Sequence, residues 1–444
     1  MPEVHDSGKG PGENGKRRFI NEKVVKPPLT RRQIAKRALA FFFVAVIFGV
    51  VAAASFVVTM PLANRYLGTE PPKESSISIP KDELSESTEA EEVTEESTTE
   101  QESEPIEDRV RSALENYRYT VNDLNAMLSS LRQTVQKADK GIVVVHSVQQ
   151  EVDWFDNPVE TTGLYAGAVI ALTRQELLIL TPEAAVEKAD SIKVTFGDGR
   201  DVDGRMKQKD AVTGMAIVSV NVSDVEESIL KSVEAVPLGN SYTVREGDLI
   251  VAVGAPAGVV HSMNYGFISY VLKNAQMVDQ HCRLLYSDIS ADVEKGTFLL
   301  NTSGELIGWA MEAHQGDNST HQGQNVTEIM GISDYKGMLE KLSNGRGAPY
   351  FGIIGQGVSE TMAAQGLPEG IYVMSTVSDG PAYNAGIQNG DIIIKADETE
   401  LLSMKDFQGM MDKLECGQLI NVTVERNGRD QYTRLEFQVT VGAR

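Results

Sequence analysis

The sequence has few cysteines, and this limits the chemistry that it can support. Only Cys282 and Cys416 occur among 444 residues, far apart in the chain. A framework of several disulfides and a four-thiolate zinc or iron–sulfur site are therefore excluded. Two alternatives remain, a long-range disulfide between the two cysteines and two separate buried thiols. The preference of cysteine for protein interiors favours the second. We predict no metal site and no cofactor.

Basic residues are also scarce relative to acidic ones. The chain has 41 Lys and Arg against 63 Asp and Glu, for a net charge of −22. Such a surplus repels a phosphate backbone, so no nucleic-acid partner is expected. At about 150 residues per domain, the length predicts roughly two to four structural units.

One long apolar run stands near the N-terminus. The 27 residues between Arg37 and Arg65 carry no charge, which exceeds the ~20 residues that a membrane-spanning helix needs. The apolar core of a cleaved signal peptide is shorter, at about 7 to 15 residues. We therefore predict a transmembrane helix over 38–62 that stays attached. Because the preceding segment 1–37 is rich in Lys and Arg, we place it in the cytoplasm as a basic tail. A single-pass protein of the cell membrane, with its C-terminal domains outside the cytoplasm, is the expectation.

The segment 63–105 is predicted to be an acidic disordered linker. From Glu70 to Asp108 the sequence has fifteen acidic and two basic residues, set among Ser, Thr and Pro. Charges of one sign repel each other, and the stretch lacks apolar surface to bury.

The next segment, 106–136, carries a heptad pattern that predicts a helical stalk. A coiled coil that joins two or three chains is one interpretation, and an amphipathic helix that lies against the following domain is the other. The apolar seam comprises Val110, Leu114, Tyr117, Val121, Leu124, Leu128, Leu131 and Val135.

Short β-branched runs separated by turn signals fill the segment 137–345. Runs at 142–145, 168–172 and 249–253 occur without long helices between them, which predicts a barrel or sandwich. The order of segments, with Leu-Thr-Pro-Glu-Ala-Ala-Val at 180–186 and Gly-Glu-Leu-Ile-Gly at 304–308, resembles the trypsin-like domain of the HtrA/Deg membrane-anchored serine proteases. The resemblance implies a trypsin-like double β-barrel.

The same resemblance locates the three positions of the catalytic triad. The motif at 180–186 places Ala184 where the family has its histidine, and the motif at 210–216 places Gly214 at the aspartate. Counting back from 304–308 places Lys295 at the nucleophilic serine.

Acyl transfer by such a site needs a hydroxyl nucleophile, an imidazole base and a carboxylate that orients it. None of the three stands at its position, so we predict no catalytic residues there and a pseudoprotease of the serine endopeptidase family, not an enzyme. A rearranged site, with Lys295 as base for Ser287 or Ser290, is the alternative.

The segment 346–444 resembles a PDZ domain of the HtrA type, on the series Gly-Pro-Ala at 380–382, Gly386 and Gly-Asp-Ile-Ile at 390–393. The resemblance implies that one loop presents backbone N–H groups to a terminal carboxylate and that the neighbouring strand accepts an extended peptide. The predicted peptide-binding residues are Phe351, Gly352 and Ile353 of the loop and Phe407, Met410 and Met411 of the helix after Ser403.

The expected fold is therefore mainly β: a trypsin-like double β-barrel followed by an α+β PDZ domain, preceded by a transmembrane helix and a helical stalk. The expected function is that of a membrane-anchored HtrA-like pseudoprotease. It would bind protein C-termini or unfolded segments through its PDZ domain and act as a scaffold or adaptor in the cell envelope. An active HtrA-like endopeptidase with a rearranged site and a structural envelope protein are the alternatives.

Overall fold

The computed structural model describes residues 76–83, 118–152, 158–197, 199–312, 326–428 and 431–444. The predicted tail 1–37, the predicted membrane helix 38–62 and most of the predicted linker lie outside these ranges. Within them, no helix is long and apolar enough to cross a membrane. Cys282 and Cys416 are both free, as predicted, but only Cys282 is buried. The predicted burial of Cys416 is wrong, because this residue lies at the surface.

Helix α1, Val121–Asp139, is the described part of the predicted stalk, and 106–117 lie outside the described residues. It begins at a capping box in which the Asp123 carboxylate accepts from the backbone N–H of Thr120 at 2.7 Å, which satisfies donors that the first turn leaves free. Leu131 and Val135 are buried, whereas Leu124 and Leu128 are exposed. The C-terminal half of α1 therefore packs on the domain that follows, and the coiled coil stays a prediction for the exposed half.

Six antiparallel strands close the first barrel in the order β1-β2-β3-β6-β5-β4. Two short α-helices and one 3-10 turn, Val222–Asp224, accompany them. The elements are β1 Ile142–Val152, β2 Pro158–Leu172, β3 Glu176–Pro182, α2 Ala184–Glu187, β4 Ser191–Thr195, β5 Asp201–Asp210, β6 Met215–Asn221 and α3 Glu227–Ser232.

The second barrel also has six antiparallel strands, in the order β10-β11-β12-β9-β8-β7. The 3-10 turns Ser241–Thr243 and Ile332–Tyr335 flank it. Its elements are β7 Leu249–Gly254, β8 Asn264–Met277, β9 Gln280–Ser287, β10 Thr297–Leu300, β11 Leu306–Met311, β12 Thr327–Gly331 and the following helix α4, Lys336–Ser343.

Strand β3 shows why these sequences form buried strands. Successive side chains of a strand point to opposite faces, and both faces of β3 are apolar. Leu178 and Leu180 join a core that also contains Val251 and Trp309 of the second barrel. Leu177 and Ile179 instead join a core confined to the first barrel. The shared core holds the barrels together and leaves a cleft between them.

The C-terminal domain is a sheet in the order β14-β15-β16-β18-β19 with short helices packed on it. Strands β13 and β20 pair separately beside it. The elements are β13 Pro349–Tyr350, β14 Ile353–Gly357, α5 Glu360–Ala364, β15 Ile371–Thr376, α6 Pro381–Ala385, β16 Ile392–Ala396, β17 Thr399–Glu400, α7 Met404–Met411, β18 Leu419–Asn427, β19 Tyr432–Thr440 and β20 Gly442–Ala443.

A piece of the predicted linker, residues 76–83, lies against α4. The backbone N–H of Ile79 donates to the Glu340 carboxylate at 2.8 Å, and Asp82 pairs with the nearly buried ammonium of Lys336 at 2.8 Å. Ile79 is buried. Residues 76–83 therefore differ from the predicted disordered spacer, because an isoleucine and an acidic residue here have specific partners on the folded domain.

Candidate functional site

The cleft between the two barrels brings the three predicted triad positions together. Ala184, at the start of α2, and Gly214, just before β6, line an open cavity of about 330 Å³. Glu294 and Gly296, which flank Lys295, line it from the second barrel. The three positions that the sequence motifs predict for a triad therefore lie close together in the structure.

Backbone conformation fixes the loops around this cleft. Gly214 has φ +66° and Gly296 has φ +91°, values that side chains disfavour. The backbone N–H of Ala166 donates to the carbonyl of Lys295 at 2.7 Å, and Glu183 N–H donates to the Gly214 carbonyl at 2.7 Å. Both loops are thus tied to the first barrel.

The contacts of Lys295 do not form the catalytic pair with Ser287 or Ser290 that the alternative site requires. Its backbone N–H donates to the Asp292 carboxylate at 3.0 Å, so this N–H is not free for an oxyanion. Its ammonium donates to the Gly258 carbonyl at 3.3 Å. Ser287 is fully buried and accepts from the N–H of Ile289. Among the described residues, no hydrogen bond joins Lys295 to either serine of the alternative site.

The hydroxyl groups in the cleft belong to threonines. Thr297 donates to the carbonyl of Asp292 at 2.8 Å, and Thr213 donates to the Asp210 carboxylate at 2.9 Å. Burial raises the pKa of Asp210, while the guanidinium of Arg444 and the Thr213 hydroxyl oppose the rise. No serine, cysteine or histidine is among the described residues that line the cleft. A hydroxyl, imidazole and carboxylate set is therefore not assembled by them.

An imidazole–hydroxyl contact does occur on the first barrel, away from the cleft lining. His146 Nε2 lies 2.5 Å from the Thr195 hydroxyl, which also bonds the carboxylate of Asp201. The hydroxyl stands between the other two groups, whereas a triad places the imidazole in the middle. This order does not match the acyl-transfer arrangement.

The predicted carboxylate-binding loop of the C-terminal domain holds a carboxylate. The N–H groups of Phe351, Gly352 and Ile353 converge on the side chain of Asp279, at 2.8 to 3.0 Å. Gly352 has φ +87°, and a Cβ there would approach the Tyr350 ring to 3.3 Å. The loop is thus a nest of three donors that depends on glycine at its centre.

Helix α7 and strand β14 flank this loop, and the predicted helix residues face inward. Phe407 is fully buried and meets the ring of Phe351 edge-on, with 5.5 Å between the ring centroids. Met410 and Met411 are buried in the same core. The structure differs from the prediction here, because α7 needs this apolar face to fill the core.

Three polar residues at the groove have no motif in the sequence. Asp279 and His281 come from the hairpin of β8 and β9, and Gln408 from α7 donates to the carbonyl of His281 at 2.9 Å. Contacts of this kind join residues more than seventy positions apart, so periodicity and local motifs carry no signal for them.

Comparisons with known proteins agree with this architecture. A family model described as a trypsin-like peptidase domain matches residues 165–308, and one described as a PDZ domain matches 352–437. The chain therefore contains a trypsin-like peptidase domain followed by a PDZ domain. The prediction of a mainly β trypsin-like domain followed by a PDZ domain is confirmed.

Two relatives with sequences similar to this one come from bacteria. A probable periplasmic serine endoprotease DegP-like of Pseudomonas savastanoi is 26% identical over 295 residues, which are 65% of this chain and 57% of that protein. The serine endoprotease DegS of Salmonella typhimurium is 26% identical over 292 residues, 64% of this chain and 78% of that protein. The chain thus spans little more than half the length of the DegP-like relative.

Among solved structures, the HtrA-type protease AlgW with a decapeptide is 21% identical. The match covers 71% of this chain and 98% of that one, with a TM-score of 0.49.

The prediction that the protein is not an enzyme is contradicted by these relatives. Both are named serine endoproteases, and no described feature gives positive proof that activity has been lost. Replacement at 184, 214 and 295 excludes the family's usual triad at those positions, but it does not exclude hydrolysis by other groups. Hydrolysis does not require one particular arrangement of residues, so the absence of the triad from these positions does not establish inactivity.

Proposed function

We propose that this protein binds the C-termini or unfolded segments of other proteins through the groove between β14 and α7 of its PDZ domain. The observation that carries the proposal is the nest of Phe351, Gly352 and Ile353, whose N–H groups already hold the Asp279 carboxylate. Hydrogen bonds to an ionised acceptor are stronger than neutral ones. A peptide's terminal carboxylate offers the same two oxygens.

Strand β14 supplies the second requirement, an edge that pairs with no other strand of the sheet. It pairs with β15 on one side only, so its other edge can accept backbone hydrogen bonds. We expect a ligand that ends in an apolar residue, because the nest is enclosed by the apolar core of the domain.

The test is a titration of the full chain with a dye-labelled peptide that ends in a free valine carboxylate. Gly352→Glu should reduce its affinity at least about a hundredfold, because the new side chain enters the nest and brings a like charge. The same peptide with an amidated terminus should bind the unchanged protein weakly.

Gly197→Glu is the matched control, since a Cβ at Gly197 meets nothing within 4 Å and this residue lies on the first barrel. It should bind the peptide as the unchanged protein does. Equal affinity for free and amidated peptides, or for the Gly352→Glu variant, would contradict the assignment of the groove.

The relatives favour a second function, endopeptidase activity on polypeptides held in or near the cleft. Their names describe serine endoproteases, and the cleft here is an open cavity of about 330 Å³. The nucleophile and base would have to be groups other than those at the three triad positions.

Hydrolysis of casein by the purified full chain, together with labelling by a fluorophosphonate probe, tests this second function. Cleavage that one substitution in the chain abolishes would establish it and identify the rearranged site. Casein left intact over a long incubation, with peptide binding retained, would remove it.

We also propose that residues 38–62 anchor the protein in the membrane and that its C-terminal domains lie outside the cytoplasm. The support is the uncharged run and the basic residues before it. The full chain should sediment with membranes and resist extraction by salt, and a chain without 38–62 should not. Release of the full chain by salt alone would contradict the anchor.

We propose that two or three chains associate through the exposed apolar face of α1. Val121, Leu124 and Leu128 of the heptad seam are more than a third exposed. Leu124→Glu with Leu128→Glu should convert the assembly to single chains in analytical ultracentrifugation. An unchanged sedimentation coefficient would contradict this interface.

A further inference from the structure

The PDZ groove is occupied by a piece of the same chain. The two-residue turn between β8 and β9 places residues 278–281 beside the edge of β14 and against α7. Asp279 has a left-handed backbone conformation, with φ +63°. Its side chain and its N–H both bond to residues at the start of β14 and in the loop before it. Asp279 is buried, with 3% of its surface exposed.

Asp279 occupies the position that a peptide's last residue would need. Its carboxylate accepts from the three N–H groups of the nest, and its own N–H donates to the carbonyl of Ile353 at 2.7 Å. A terminal residue paired with β14 would use the same carbonyl and the same donors. The hairpin and a peptide terminus therefore cannot be bound together.

Further contacts of the turn with β14 and α7 resemble those of a bound peptide strand. The His281 ring lies 3.0 Å from the carbonyl of Gly355, two residues further along β14. Gln276 donates to the side chain of Gln356 at 3.0 Å. From the other wall, Gln408 of α7 donates to the His281 carbonyl at 2.9 Å. The turn is thus bonded to both elements that border the groove.

A buried arginine holds the tip of the turn. Arg444 donates to the carbonyl of Val278 at 2.8 Å, and its side chain is 6% exposed. Burial raises the pKa of Asp279, and the Arg444 charge and the three N–H groups oppose the rise by favouring the carboxylate. The nest and the arginine together offset part of the cost of burying this charge.

We propose that the β8–β9 turn of the trypsin-like domain is an internal ligand of the PDZ groove, in which the Asp279 side chain imitates a C-terminal carboxylate. External C-termini bind only when this turn leaves, so the turn sets the apparent affinity of the groove. The inference rests on the proposed function and adds its regulation.

The size of the effect follows from the populations. If the groove is free only a fraction f of the time, the apparent dissociation constant is the intrinsic one divided by f. A turn that occupies the groove nine times in ten weakens peptide binding by about tenfold. Removal of the Asp279 carboxylate should restore at least that factor.

The test titrates the full chain and its Asp279→Ala variant with the same dye-labelled valine-ended peptide. Asp279→Ala should bind at least about tenfold tighter than the unchanged protein. Arg444→Gln leaves the nest and Asp279 intact, and it should bind a few times tighter because the turn loses its hold on Val278. It keeps the proposal falsifiable if Asp279→Ala fails to fold.

Two matched controls exclude a general effect of the substitutions. Asp203→Ala removes an exposed carboxylate from β5, and Arg434→Gln removes an exposed guanidinium that pairs with Glu425. Both should bind the peptide as the unchanged protein does.

The outcomes separate the two proposals. If the unchanged protein and both groove variants bind the peptide with one affinity, the internal ligand is overturned and peptide binding stands. If none of the three binds the free-carboxylate peptide better than the amidated one, the function of the groove itself fails and the internal ligand fails with it. Tighter binding by Asp279→Ala and Arg444→Gln, with unchanged controls, supports both.

Discussion

The inter-barrel cleft and the PDZ groove differ in which of the predicted functional groups they contain. In the cleft, Ala184, Gly214 and Lys295 stand at the three positions predicted for a catalytic triad, and the described lining holds hydroxyls only as threonines. In the groove, the loop 351–353 still presents three N–H groups, which hold a carboxylate. The described lining of the cleft lacks the predicted reactive side chains, whereas the groove presents the predicted backbone donors.

This difference follows from what each kind of chemistry demands. Nucleophilic catalysis depends on the identity of a few side chains, so three substitutions remove a given triad. Recognition by a backbone nest depends on the path of the main chain, and most side chains can vary without changing it. Gly352 is the exception, because its φ of +87° and the nearby Tyr350 ring require glycine.

The largest effect is expected from Phe407→Ala, which tests whether the groove is built on a rigid core. Removal of this fully buried ring should reduce the free energy of unfolding of the PDZ domain by about 3–5 kcal/mol. Urea denaturation followed by circular dichroism measures it. Phe267→Ala, at a half-exposed ring of β8, is the control and should cost less than about 1 kcal/mol. Equal losses would mean that Phe407 has no special place in the core.

A smaller effect is expected in the cleft from Thr213→Val. The valine keeps the shape of the side chain but leaves the buried Asp210 carboxylate without one donor. The free energy of unfolding should fall by about 1–3 kcal/mol. Thr399→Val, at an exposed position of β17, should be nearly neutral. A neutral Thr213→Val would show that this hydroxyl does not hold the cleft loop.

The smallest effect concerns the contact of α1 with the loop between β7 and β8, where His261 pairs with Asp139 of α1 at 3.0 Å. This hydrogen bond raises the pKa of His261 above its usual value of about 6.5, although partial burial opposes the rise. A raised histidine pKa stabilises the fold fully below pH ~6.5, and the contribution disappears as the pH rises through the folded pKa. Since the pair is a third exposed, it should contribute at most about 1 kcal/mol.

Urea midpoints measured from pH 5 to 9 check this prediction. In Asp139→Asn, the urea midpoint should change less with pH over the range in which His261 loses its proton. A profile that Asp139→Asn leaves unchanged would contradict the pair.

The sequence predicts the architecture and both sites to the extent that each depends on local pattern. The runs of β-branched residues predict the barrels, the motifs at 180–186 and 210–216 locate Ala184 and Gly214 in one cleft, and the glycine series locates the nest. These features repeat along a strand or within a short loop, where spacing in the sequence is spacing in the structure.

The features that the sequence does not predict are tertiary. The side chain of Asp279 reaches a loop that lies over seventy residues further along the chain, and nothing near Asp279 distinguishes it from any acidic residue in a turn. The docking of 76–83 on α4 and the inward face of Phe407 likewise depend on what the fold brings close. The seam of α1 is helical as predicted, but the pattern alone does not tell a partner helix from the barrel that covers Leu131 and Val135.

The most direct measurement is the amide proton chemical shift of Phe351, Gly352 and Ile353 in the full chain and in Asp279→Asn, by nuclear magnetic resonance. Loss of the charged acceptor should shift all three resonances upfield, and addition of the valine-ended peptide should shift them downfield again, whereas its amidated form should not. Three resonances that respond neither to Asp279→Asn nor to the peptide would contradict the account of the nest as a carboxylate site.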